Sequence, residues 1–82
     1  MKNKIRFGDL RQLLLDVGFQ EAAGAAEIAF RHEPSDTMFV FRRYRPGDAV
    51  ASYNLVEVQQ MLETRGLMSA DTFEDQFRKA PA

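Results

Sequence analysis

The stretch "EIAFRHEPSDTMFVFRR", residues 27–43, decides how this chain folds. Its first six residues alternate: Ile28, Phe30 and His32 share one face of a strand, and Glu27, Ala29 and Arg31 share the other. Glu33-Pro34-Ser35-Asp36 is turn chemistry. Thr37–Arg43 is rich in strand formers, with Phe39, Val40 and Phe41 placing apolar side chains on both faces. Two such runs about a four-residue turn make a hairpin. A strand apolar on both faces calls for cover on both sides, which a C-terminal helix or another subunit can supply.

Working outward, Leu10, Leu13, Leu14 and Val17 follow the i, i+3, i+4, i+7 rule, so residues 7–17 read as an amphipathic helix. Asp9 suits its first turn, and Gly18 followed by Phe19 suits its end. Residues 19–26 read both ways. Gln20, Glu21 and the alanines favour helix by propensity, whereas Gly18 and Gly24 interrupt one. The reading adopted is a short strand at 19–22 and a turn near Gly24.

C-terminal to the hairpin, Arg45-Pro46-Gly47-Asp48 is a second turn. Residues 53–65 form a second helix with Leu55, Val58 (or Val56), Met61 and Leu62 inward and Gly66 after its end. Ser52 or Asn54 is its expected cap, and Asn54 with Glu57 resembles a capping box. Ser69 caps a short third helix, 70–78, which carries Phe73 and Phe77 as core contacts. Lys79–Ala82 reads as a frayed tail. The order α-β-β-β-α plus a short α packs most simply as an α+β fold, a three-stranded antiparallel sheet with helices on one face.

Composition fits one domain with a thin core. The 82 residues are 45% hydrophobic and include seven Phe. A chain this short buries only about 60–65% of its unfolded surface. The run Met38-Phe39-Val40-Phe41 is far short of a membrane span, and Lys2, Lys4 and Arg6 lead into Asp9 and Arg11 with no signal-peptide core. There is no cysteine, which rules out disulfides and thiolate chemistry and suits a cytoplasmic location. Net charge is −1. Residues 1–49 carry eight Lys/Arg against seven Asp/Glu, and residues 50–82 three against five. That is not the broad basic surface of a general nucleic-acid binder.

Few residues can carry chemistry. There is no glycine-rich phosphate loop, nucleophile elbow or paired histidine for zinc, and no cofactor or metal is expected. Asp71, Glu74 and Asp75 read as a solvated helix face. His32, the only histidine, is the one candidate general acid or base. The plainer reading makes it a part-buried strand-end residue bonded to the turn after it. Arg42, Arg43, Tyr44 and Arg45 combine guanidinium forks with an aromatic ring. They read either as an RNA or phosphate patch with base stacking, or as a solubilising strand edge.

Four blocks, "DLRQLLLDVGF" (9–19), "IAFRHEP" (28–34), "YRPGDAV" (44–50) and "LVEVQQMLETRGL" (55–67), resemble the HicA toxin family of bacterial type II toxin–antitoxin systems. The resemblance covers residues 7–67, about three quarters of the chain, with 68–79 a helical extension. It implies a double-stranded-RNA-binding-domain-like α-β-β-β-α fold, mRNA interferase (endoribonuclease) activity and a HicB-like antitoxin partner.

The family signature is Gly, Ser or Thr, His, two residues and an aromatic. Anchored on Phe30, its slots fall on Ala25, Ala26 and Glu27, so all three are changed. His32 matches a later family histidine, with Glu33 inserted before Pro34, and a further one would fall at Arg45. Glu27 in the histidine slot can accept a proton, but its charge repels a phosphate. The expectation is a degenerate member without nuclease activity that binds RNA or protein. The alternatives are an active ribonuclease using His32, and a homodimeric interaction domain with no nucleic-acid role.

Overall fold

The computed structural model describes residues 5–78. The fold is α+β. Helix α1 (Phe7–Val17) is followed by strands β1 (Gln20–Ala23), β2 (Glu27–His32) and β3 (Thr37–Arg42), then helices α2 (Ser52–Thr64) and α3 (Ala70–Arg78). A single 3₁₀ turn, Glu33–Ser35, joins β2 to β3. The sheet is antiparallel in the order β1-β2-β3. Register pairs Ala22 with Ala29 and Ala29 with Val40, so these three form one row across the sheet.

Alternation works as the hairpin stretch predicts. Ile28, Phe30, Phe39 and Phe41 face the helices and are buried together with Leu10, Leu13 and Leu14 of α1, Val58 and Leu62 of α2, and Phe73 of α3. The rings interlock: Phe30 meets Phe41 edge-on at 5.9 Å, and Phe19 stacks on Phe39 at 5.4 Å. The Arg11–Glu21 ion pair, 2.8 Å, ties α1 to β1 at the surface.

Helix ends follow local chemistry. Gly18 adopts φ 119°, and the Gly18 and Phe19 amides both bond the Leu14 carbonyl, which closes α1 and turns Phe19 into the core. At the other end of α1, the Phe7 and Gly8 amides bond the Asp48 and Pro46 carbonyls. A Cβ at Gly8 would sit 3.2 Å from the Pro46 oxygen, so glycine permits that approach. Ser69 caps α3 as expected, its Oγ accepting the Thr72 amide at 3.1 Å.

Several sequence expectations are corrected. β1 begins one residue later than 19–22, because Phe19 belongs to the helix stop and the core. β3 ends at Arg42, not Arg43, and α2 spans 52–64, not 53–65. Neither Ser52 nor Asn54 caps α2: the helix already begins at Ser52, and Ala51 stands at the N-cap with no side-chain bond. Val58 faces inward, and Val56 is 52% exposed. Phe73 and Phe77 pack edge-on at 5.1 Å within or against the core. The tail at Lys79–Ala82 lies outside the described residues.

The second cover for β3 does not come from α3. That helix packs beside α2, and Phe73 joins the core that already covers the inner face. Met38 and Val40 are left 55% and 49% exposed.

Phe30 is the most central of the rings, fully buried in the middle strand. Phe30→Ala should cost about 3–5 kcal/mol through lost burial and the cavity left behind. The urea midpoint of unfolding measures it, read at an unchanged dependence on denaturant.

Candidate functional site

The positions matched to the family signature do not assemble a centre. Ala25 and Ala26 lie in the exposed β1–β2 turn, and Glu27 is exposed at the start of β2. His32 ends the same strand. Five residues of strand separate them by about 17 Å, and the odd offset puts them on opposite faces. No bulge intervenes, since the register runs unbroken from Glu27↔Arg42 to His32↔Thr37.

His32 is instead a part of the turn that follows it. Its Nδ1 lies 2.8 Å from Ser35 Oγ, which lies 2.7 Å from the buried Thr37 Oγ1. The Thr37 hydroxyl in turn reaches the Ser35 carbonyl at 3.3 Å. Two proton arrangements complete this chain. In one, Thr37 donates to Ser35, which donates to a neutral Nδ1. In the other, Nδ1–H donates to Ser35, Ser35 to Thr37, and Thr37 to the Ser35 carbonyl. The ring tilts against Phe19 at 5.2 Å and runs beneath Gly18. This is the part-buried, turn-bonded histidine of the plainer sequence reading.

The arginine cluster is divided among three tasks. The Arg43 amide bonds the Ala26 carbonyl at 3.1 Å, and its guanidinium bonds the Gly24 carbonyl, so Arg43 braces the β1–β2 turn. Arg42 lies on the outer sheet face with its guanidinium 4.3 Å above the Tyr44 ring. Arg45 is exposed in the 45–48 turn, where its amide bonds Asp48 at 2.9 Å.

Tyr44 is the correction of most consequence. It is buried, with Phe7 stacked on one face at 5.2 Å and Arg42 over the ring. No nucleic-acid base can stack on it. Its hydroxyl oxygen accepts the Ala51 amide at 3.1 Å and the Asn54 side-chain amide at 2.8 Å, which pins the start of α2 to the end of β3. Burial pushes the phenol pKa up, but the Ala51 amide, the Asn54 amide and the Arg42 charge outweigh it, and the net shift is downward.

The surface that sequence reasoning located only in part is the outer side of β3. The Arg43–Ala26 bond makes that pair a hydrogen-bonded one. Counting back by twos, Ile28–Phe41, Phe30–Phe39 and His32–Thr37 bond between β2 and β3. The backbone N–H and C=O groups of Met38, Val40 and Arg42 therefore point to the open edge. No hydrogen bond among the described residues reaches them. The same three residues put their side chains on the outer face, in rows continued by Arg31, Ala29 and Glu27. The signal in the sequence was the apolar pattern on both faces of 38–41. Among the described residues no group of three or more His, Asp or Glu is placed to hold a metal ion. No described helix is long and apolar enough to cross a membrane.

Ionisation of Tyr44 is directly measurable. Of the two tyrosines, Tyr44 should give a phenolate absorbance step below the usual tyrosine pKa of about 10, and that early step should be missing in Tyr44→Phe. Because the folded pKa is lowered, the Tyr44 contribution to stability should grow as pH rises from the folded value to about 10. Tyr44→Phe should flatten that rise. At neutral pH it should cost about 1–3 kcal/mol by leaving two amide donors without their acceptor.

With this geometry in hand, comparison with protein-family models, curated proteins and solved structures finds no match to the chain.

Proposed function

We propose that this chain is a cytoplasmic, HicA-like protein-interaction module without nuclease activity, and that its working surface is the open outer side of β3. The observation that carries this reading is the coincidence, at Met38 and Val40, of exposed apolar side chains with an unpaired strand edge. A strand left in that state is a template for a further strand, and natural monomers blunt such edges with lysine, proline or bulges. Here β3 carries none of these, and its one charged residue is Arg42 at the end. The mode is β-augmentation, in which backbone bonds along the edge give affinity and alternate side chains give selectivity.

Three features weigh against the RNA readings. Glu27 and His32 are too far apart, and on the wrong faces, to serve as acid and base on one phosphate. The His32 ring is packed against Phe19 and tied to its own turn through Ser35. In the arginine cluster Tyr44 offers no ring face and Arg43 is committed to Gly24. A HicB-like antitoxin is one protein class that such an edge can take.

Purified protein incubated with single-stranded and duplex RNA at low salt should leave both intact and give a flat binding titration. Cleavage that His32→Ala removes would restore the ribonuclease reading. Salt-sensitive binding lost on neutralising Arg42, Arg43 and Arg45 would restore the RNA-binding one.

A further inference from the structure

We infer that the strand taken up by β3 is β3 of a second copy of the same chain, paired antiparallel about a two-fold axis at Phe39. This inference rests on the protein-interaction reading above and names its partner.

Charge asymmetry along the strand sets the direction. The turn before β3 carries Glu33 and Asp36; its end carries Arg42 and Arg43, and in the turn after it Arg45 is balanced by its own Asp48. Two parallel copies would set acid beside acid and base beside base. Two antiparallel copies bring the acidic turn of each against the arginines of the other, so the edge is complementary to itself. An isologous contact of this kind closes as a dimer, because it uses up both β3 edges.

The apolar pattern sets the register. Only Met38, Val40 and Arg42 have backbone groups free on the edge, so residues of this set must face one another across the junction. With Phe39 on the axis, Val40 lies opposite Met38 of the second copy, and Met38 opposite Val40. Each pair exchanges both backbone bonds, and Arg42 comes alongside Asp36 of the second copy. Moving the axis to Val40 would instead set Met38 against a charged Arg42. The Phe39 register gathers the Met38 and Val40 side chains of both copies into one cluster and continues the Ala22–Ala29–Val40 row into the neighbouring sheet. The product is a six-stranded sheet. An edge contact buries little area, so the association should be reversible and concentration-dependent.

Sedimentation equilibrium over a rising concentration series tests this. The mass should double, and amide hydrogen exchange at Met38 and Val40 should slow at least about tenfold in the dimer. Val40→Lys, at a half-exposed position, should keep the circular dichroism of the fold and lose the dimer. Asp36→Asn, which retains a residue suited to the left-handed backbone there (φ 55°), should weaken the dimer several-fold. A strict monomer at the highest concentration would overturn self-pairing. If RNA is also inert, the protein-interaction reading then stands with a different partner. A dimer unaffected by Val40→Lys, or one that leaves the Met38 and Val40 amides fast, would overturn the pairing as well.

Discussion

Period-two alternation in β2 and β3 puts Ile28, Phe30, Phe39 and Phe41 on one face of a three-stranded sheet, and the rest of the structure answers to that placement. One face so rich in aromatic side chains needs cover. α1 and α2 supply it with Leu10, Leu13, Leu14, Val58 and Leu62. Phe73 of α3 joins the same cluster. Most of the apolar helical surface is thereby spent on the inner face, while Tyr53 and Val56 of α2 stay exposed. The outer face keeps only what its own strands carry, and β3 happens to carry Met38 and Val40 there.

Tyr44 closes this arrangement. It stands just after β3, stacks on Phe7 of α1 and accepts two donors from the start of α2. It therefore joins three elements that the strand ladder alone does not connect. Asn54 lies inside the first turn of α2, which begins at Ser52, and its side-chain amide donates to the Tyr44 oxygen. A residue that seemed a surface ring among arginines is a core ring with one arginine parked over it.

The fold was largely legible from the chain. α1, the β2–β3 hairpin, the Gly18 and Gly66 stops and the Ser69 cap all rest on local chemistry, since periodicity, turn residues and positive φ act over a few neighbours. The start of β1 was misplaced because Phe19 serves the helix stop and the core at once. The candidate site was less legible. Arg42, Arg43 and Tyr44 are contiguous in sequence and suggested one patch. In space they serve the outer face, the β1–β2 turn and the core. Nothing in three adjacent letters distinguishes those fates, because Arg43 and Tyr44 depend on partners far along the chain: Gly24 for the one, Phe7 and Asn54 for the other.

Sequence by itself determined α1, the β2–β3 hairpin, the order of the elements, the inward face of β2 and the opposed facing of Glu27 and His32. These follow from backbone periodicity, which no tertiary contact alters. Tertiary structure alone decided that α3 lies beside α2 and not across the sheet, that Tyr44 is buried, and that the edge and outer face of β3 stay open. Those outcomes turn on which apolar surfaces compete for the same cover, and that competition is settled only when all the elements pack together.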